Sequence, residues 1–301
     1  MSTAVIPPAA GASSLDLDAA KFRDNFERRP FLVRHRLVEH PLFSLARLIE
    51  LARALPEDRV EYNAGDVPVS LDPSRTPRTG LSIEETIRRI EECRSWMVLK
   101  NVERDPEYGA LLDACLDQVR QHSDARCPGM HQREGFIFIS SAGSVTPYHM
   151  DPEHNFLLQV RGTKRLSLFD GGDRRLLSEQ ELEKFYAGAH RNLVFDEANQ
   201  ARALVFDLAP GDGLHVPVTW PHWVKNGPEV SVSFSITFRT VSSDRRAIVY
   251  RVNRSLRRLA LRPAPVGRSA LSDGAKHLAY RTLRRAGRLL GGGQSQGGRD
   301  Y

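Results

Sequence analysis

Apolar and polar positions along the chain alternate between two periods. Between Ser44 and His122 the apolar residues recur every three or four positions. Leu45, Leu48, Ile49, Ala52 and Leu55 form one set behind Ser44, and Ile83, Ile87, Ile90 and Cys93 form a second behind Ser82, with Glu85 three residues on. That spacing puts each set on one helical face, and Ser82 with Glu85 has the form of a capping box, each side chain serving the other's backbone amide. A third set, Tyr108, Leu111, Leu112, Cys115, Leu116 and Val119, predicts a helix over Pro106 to His122. The residues between Pro56 and Gly80 are rich in Pro, Asp and Gly and read as a surface connection with a short strand near Val60 to Tyr62; WMVLKNV (96–102) reads as a further strand.

From Gly135 the period shortens. GFIFISS (135–141), FLLQV (156–160), KRLSLF (164–169) and VSVSFSITF (230–238) alternate or run apolar and are separated by turn formers, the mark of short antiparallel strands. One helix interrupts them, started by Ser178 with Glu181 and running through about Tyr186. After Ser243 helical spacing returns. Ile248, Val252, Leu256 and Leu259 share one side of a first helix; after Asp273 a second places Ala275, Leu278, Ala279, Leu283, Ala286 and Leu290 likewise. The division this predicts is a disordered tail over 1–20, a helical and mixed part over 21–134 packing on a barrel, the barrel over 135–242, basic helices over 243–290, and a flexible tail over 291–301.

Composition changes this picture little. With 41% hydrophobic and 27% charged residues in 301, the chain is ordinary for a soluble globular protein. No apolar run reaches the length of a membrane span, and the N-terminus has neither the basic nor the long apolar segment of a signal peptide, so a cytoplasmic location is expected. Three cysteines, Cys93, Cys115 and Cys127, are expected to be buried thiols. Charge is more informative. Residues 241–301 hold fourteen Lys and Arg against three Asp and Glu, so the net charge of +6 belongs to the C-terminal region alone, and the preceding part is acidic. An amphipathic surface packing on the barrel or forming a homodimer is one reading of those helices; binding to nucleic acid, the ribosome or anionic lipid is another.

Candidate chemistry centres on His149 and Asp151. Two residues apart on an extended backbone, their side chains leave the same face, and with a second imidazole they make a facial triad that leaves three positions of an octahedral Fe(II) open. Roughly 0.6 His-x-Asp pairs are expected by chance in a chain of this composition, so context must decide. His122 and Asp124 repeat the spacing at the polar end of a predicted helix, where a capping or surface role is expected. His149 and Asp151 lie instead between strand-like runs, with PGDGLHVPVTWPHWV (210–224) bringing His222 downstream.

From about Phe136 to Phe238 the chain resembles the catalytic core of the JmjC or cupin-like Fe(II)/2-oxoglutarate oxygenases, most nearly the factor-inhibiting-HIF type of asparaginyl hydroxylase. The resemblance rests on Thr146, Pro147, His149, Asp151, Asn155, Phe156, Gly162, Lys164, Arg165, Pro210, Gly211, Asp212, Leu214, Pro217, Trp220 and His222, which match the family pattern in order. It implies a mainly β double-stranded β-helix, a jelly-roll or cupin-like barrel, flanked by N-terminal helices and a C-terminal helical extension. It implies Fe(II) on His149, Asp151 and His222, with 2-oxoglutarate and dioxygen as co-reactants and a peptide or small molecule as substrate. Lys164, which alternation points into the barrel, would pair with the distal carboxylate of 2-oxoglutarate, and Thr146 would add a hydroxyl; Arg165 should face outward. Asn155 matches an asparagine near the cosubstrate, and Thr237 stands where the nearest relatives carry another. His154 is expected at the polar rim of the site; Trp220 and Trp223 flank His222, either walling the site or, the expected role, serving bulk packing. A metal cupin that does not use 2-oxoglutarate, and a ligand-sensing cupin whose basic helices bind nucleic acid, are the alternatives.

Overall fold

A computed structural model describes residues 14–72, 77 and 80–290. Twelve strands among them form two antiparallel sheets. The larger runs β1 (Leu15–Asp16), β2 (Phe31–His35), β10 (Asp212–Val216), β7 (His154–Arg161), β12 (Ser231–Arg239), β5 (His131–Ser140), β4 (Ser95–Lys100) and β3 (Val60–Ala64). The smaller runs β6 (Val145–His149), β11 (His222–Asn226), β8 (Lys164–Leu168) and β9 (Leu204–Leu208). This is the mainly β, jelly-roll arrangement expected, with N-terminal helices on the outer face of the larger sheet and a separate group of helices toward the C-terminus.

Alternation along the central strands explains the layering. On β12, Val232, Phe234, Ile236 and Phe238 point outward into the main core, as do Phe156, Leu158 and Val160 of β7 and Ile137 and Ile139 of β5. That core is covered by α1 (Ala19–Asn25), α2 (Leu45–Ala54) and α4 (Pro106–Ser123), whose Phe22, Leu48, Leu51, Tyr108, Leu112 and Leu116 are buried there. Intervening residues, among them Ser233, Ser235, Thr237, Asn155 and Gln159, face the barrel interior, where Ser235 donates to Asn155 Oδ1 at 2.8 Å and Ser233 to Gln159 Oε1 at 2.6 Å. A second cluster of Leu157, Leu166, Leu168, Leu208, Leu214, Val216, Trp220 and Val224 fills the space between the sheets. Gly162 makes the tight turn between β7 and β8 at φ +67°, with the Val230 carbonyl pressed where a Cβ would sit.

Local signals were good guides to helix starts. Ser44 caps α2, Ser82 and Glu85 form a reciprocal capping box on α3 (Ile83–Arg88), and Ser178 and Glu181 another on α5 (Glu179–Tyr186). Several expectations need correction. Residues 14–20 are not a tail: Leu15 and Asp16 pair with β2, and Asp18 caps α1 by accepting from the amides of Ala20 and Lys21. The expected tails over 1–13 and 291–301 lie outside the described residues. The expected barrel boundary at residue 135 does not divide the fold, since four strands before it complete the larger sheet. The α3 helix ends at Arg88 rather than near Cys93, because Arg94 turns at φ 47° and the chain reverses into β4 while Ile90 still enters the core.

The C-terminal helices begin earlier and bury a different face. Thr240 caps α6 (Val241–Arg258), which turns Ser243, Ala247, Val249, Tyr250 and Asn253 inward rather than the Ile248, Val252, Leu256 and Leu259 set. Tyr250 stacks on Tyr186 of α5 at 5.2 Å, and Arg257 forms an ion pair at 2.8 Å with the fully buried Glu183. A deep aromatic contact and a desolvated charge pair thus outweigh a purely aliphatic stripe. Leu259 is left 72% exposed. On α7 (Ala270–Leu290), Leu271, Leu278 and Leu283 are exposed; the side chains of Ala286 and Leu290 lie outside the described residues.

Candidate metal centre

Strands β6 and β11 bring the triad together. His149, the last residue of β6, stands directly opposite His222, the first of β11, and their rings lie 4.2 Å apart. Asp151 follows in the turn after β6, with Oδ2 3.8 Å from Nε2 of His149 and 3.7 Å from Nε2 of His222. Among the described residues these three form the one group of three or more His, Cys, Asp or Glu side chains able to converge on an ion, their donor atoms all within 4.8 Å of one another. His122 and Asp124 do not join such a group; Asp124 ends α4 as its cap.

The donor chemistry fits a divalent metal. Nδ1 of His149 lies 2.7 Å from the Pro147 carbonyl and Nδ1 of His222 lies 2.9 Å from that of Trp220. A carbonyl only accepts, so each Nδ1 carries the proton and each Nε2 turns a lone pair toward Asp151, the arrangement that fixes a ligating histidine. Burial pushes the His149 imidazole down to about 3, keeping it neutral. Burial alone would raise the Asp151 carboxyl, but His149, the Arg191 guanidinium and His222 outweigh it and hold it below its usual range. Two neutral imidazoles and one carboxylate suit Fe(II) with open coordination positions.

Backbone anchors hold these ligands. The amide of Thr219 donates to the Asp151 carbonyl at 2.8 Å, and Thr219 takes φ 58°, a left-handed conformation uncommon for a β-branched residue. Such strain costs on the order of 1–3 kcal/mol and clusters at functional sites. Arg191 escaped the sequence reading. It reaches Asp151 Oδ1 at 3.1 Å because residues 191–193 run beside β6, with Met150 donating to the Arg191 carbonyl and Leu193 to that of Tyr148. No local pattern in HRN (190–192) signals this.

The triad opens into a cavity of about 720 Å³. Lys164 lines it, 5% exposed, with no hydrogen-bond or carboxylate partner among the described residues; its ammonium lies 5.5 Å from the Phe138 ring. Burial pushes the Lys164 amine down to about 7. An unpaired buried cation is costly unless a ligand pairs it. Arg165, one residue on, faces outward and pairs with Asp207 at 2.7 Å. Thr146, Asn155 and Thr237 all line the same cavity; the Thr237 hydroxyl donates to the Glu134 carbonyl at 3.1 Å. Unanticipated lining residues are Tyr186, whose hydroxyl is buried without a partner among the described residues, and the Glu153–Arg239 pair at 2.8 Å. Burial pushes the Glu153 carboxyl up to about 7.

One expectation fails here. His154 is not at the rim: it lies on the outer face of the larger sheet, 1% exposed, stacked on Phe26 at 4.9 Å and Phe238 at 5.1 Å. It shares that core with His215, and the even positions of β7 that carry Phe156 and Leu158 also carry His154 there. Trp223 does not wall the site; its indole donates to Gln200 at 3.2 Å, away from the cavity. Trp220 packs between the sheets.

Fold and site define a cupin-like protein. The chain belongs to the cupin-like domain family, whose profile matches residues 57–244, more than half of its length. Its relatives include Jumonji C domain-containing protein 5 of Drosophila melanogaster, 36% identical over 105 residues, 32% of this chain and 26% of that protein. Lysine-specific demethylase 8 of Xenopus tropicalis is 32% identical over 147 residues, 44% of this chain and 28% of that protein. The chain therefore matches about a quarter of the length of these curated relatives. Among solved structures, that of ycfD from E. coli superposes with a TM-score of 0.51 at 17% identity, covering 90% of this chain and 68% of that one, a likeness of fold.

Proposed function

We propose that the chain is an Fe(II)- and 2-oxoglutarate-dependent oxygenase that hydroxylates a C–H of an amino-acid residue, a peptide or a small molecule, with release of succinate and CO2. The observation that carries this reading is the pairing, in one cavity, of a His-Asp-His donor set with a buried lysine that lacks a partner among the described residues. A metal cupin without 2-oxoglutarate would have no use for that ammonium. Iron bound at the triad would supply dioxygen activation coupled to decarboxylation of the cosubstrate.

The protein's own groups have separable tasks. His149 and His222 keep Nε2 free by donating from Nδ1, and Asp151 is steered by Arg191 and by the Thr219 amide. Lys164 neutralises the distal carboxylate of 2-oxoglutarate, with the Thr146 hydroxyl as a second donor. Phe138, Leu157 and Leu166 line the cavity and exclude water around that ion pair, which strengthens it. Tyr186, Glu153 and Arg239 line the same cavity and are left to meet substrate. Purified protein with Fe(II) is expected to convert 2-oxoglutarate to succinate faster than its Asp151→Ala variant; equal succinate release by the two would overturn the reading.

For the C-terminal helices, a second copy of the chain is the partner favoured. Leu271 is 89% exposed, Leu278 66% and Leu283 73%, all on α7, with Leu259 and Leu261 exposed at the end of α6 and just beyond it. Leucines spaced this way on a water-facing helix need a dry partner. Light scattering is expected to give a dimer for the full chain and a monomer for Leu278→Glu/Leu283→Glu; a monomeric full chain would overturn this.

A further inference from the structure

A second cleft, of about 520 Å³, lies between the rim of the larger sheet and the C-terminal helices. It is lined by guanidinium groups from separate parts of the chain: Arg59 before β3, Arg104 after β4, Arg239 at the end of β12, Arg251 on α6 and Arg284 on α7. Two carboxylates, Glu134 and Asp244, face them. Asp244 is already engaged, 3.0 Å from His131 and 3.7 Å from Arg239. Burial and the neighbouring Glu103 push the Glu134 carboxyl up. Arg59 is held by Asn101 at 2.9 Å and by Asp58 at 3.3 Å, and Arg239 by Glu153.

The other three arginines are not matched. Arg104 and Arg284 have no carboxylate within ion-pair distance among the described residues; Arg284 rests on the Tyr280 ring at 5.9 Å. Arg251 spends its Nε on the Tyr186 carbonyl at 2.7 Å, which leaves its two terminal nitrogens available. Converging guanidinium groups without counter-charges repel one another, and a carboxylate or phosphate relieves that through charge-assisted, often bidentate, hydrogen bonds.

Position says which molecule would bring the anion. Arg239 and Arg251 line both this cleft and the metal cavity, so the two spaces share one wall. Lys164 lines only the metal cavity, so the cleft does not serve 2-oxoglutarate. Shape argues against a nucleic-acid backbone: the cations converge on one concavity from five elements, whereas a polyanion needs a stripe along a surface. We infer that the cleft binds a single compact anionic group, a carboxylate or a phosphate, borne by the substrate whose C–H enters the metal cavity. Arg104, Arg251 and Arg284 are then determinants of specificity. The inference rests on the oxygenase reading for the word substrate, while anion binding itself stands apart from it.

The test uses the full chain and reads binding rather than turnover. A fluorescein-labelled tetraglutamate peptide, its tetraglutamine counterpart and a short single-stranded RNA are titrated by anisotropy, with inorganic pyrophosphate as competitor. Tetraglutamate is expected to bind and tetraglutamine not; whichever of tetraglutamate and pyrophosphate binds more tightly assigns the carboxylate or the phosphate source. Arg104→Gln/Arg284→Gln, both at exposed positions and so safe for folding, is expected to weaken tetraglutamate binding by about tenfold per arginine, with metal binding unchanged. Arg251→Gln should weaken it similarly and Arg251→Lys less. Equal binding by wild type and the double variant, equal binding of tetraglutamine, or binding of RNA alone would overturn the inference. Iron and 2-oxoglutarate binding, measured in the same samples, separate the two readings: loss of both with anion binding intact sinks the oxygenase, and the reverse sinks the cleft.

Discussion

Replacing Lys164 with alanine isolates the cosubstrate anchor from the metal. The ammonium is buried, has no carboxylate partner among the described residues, and lies on β8, two strands from His149 and on none of the ligand-bearing segments. Removing one member of a buried charge pair costs on the order of 2–5 kcal/mol, so 2-oxoglutarate affinity should fall about thirty-fold to several thousand-fold while metal affinity stays put. A pH series makes the test specific. In the ligand-free protein Lys164 titrates at about 7, so at pH 6 the cation is ready and at pH 8 binding must first take up a proton. Linkage then makes 2-oxoglutarate bind about tenfold more weakly at pH 8 than at pH 6, and calorimetry in buffers of different ionisation enthalpy should show proton uptake at the higher pH. In Lys164→Ala that pH dependence should vanish. The same burial acts on stability: between pH 7 and about 10.4 the unfolded chain holds a proton the folded chain has lost, so ligand-free stability rises with pH across that window. Lys164→Met should therefore stabilise the ligand-free protein at pH 6, by about 5 kcal/mol at most. An unchanged 2-oxoglutarate titration, or a variant that keeps the wild-type pH slope, would refute the assignment.

Three further outcomes are expected. His149→Ala and Asp151→Ala should each abolish tight Fe(II) binding measured by equilibrium dialysis, whereas Asp124→Ala at the repeated His-x-Asp spacing should bind iron as wild type does. Arg191→Ala should weaken iron binding about tenfold without changing the thermal midpoint, since its guanidinium steers Asp151 but is itself partly solvated; an unaltered metal titration would show that the Thr219 amide suffices. Acid should destabilise the protein through His154, whose imidazole burial, with the nearby Arg246 charge, pushes down to about 3. The unfolded chain takes up that proton below pH 6.5, so stability is intact above 6.5 and falls by about 2 kcal/mol by pH 5, with His215, also pushed down by burial, adding to the loss. Urea midpoints that do not move between pH 7.5 and pH 5 would contradict this.

Features governed by short-range physics could be read from the chain alone. Capping boxes at Ser82 and Ser178 are complete within four residues, so each helix start was legible. Period-two alternation put Lys164 inside and Arg165 outside, because a strand has only two faces. His149 and Asp151 were found through their spacing and the strands around them. Features that depend on which surfaces meet became visible only in the folded chain. An aliphatic stripe on α6 was as good a candidate for burial as its opposite face until Tyr186 and Glu183 of α5 were placed to receive Tyr250 and Arg257. The end of α3 depended on where β4 had to begin, and Leu15 entered the sheet only because β2 offered an edge. Arg191 reached Asp151, and His154 and His215 entered an aromatic core, through contacts between segments tens of residues apart. The Arg104, Arg251 and Arg284 cleft is of the same kind: three surface arginines in the sequence become one site only when three elements converge, since charge repulsion and anion affinity depend on distance in space.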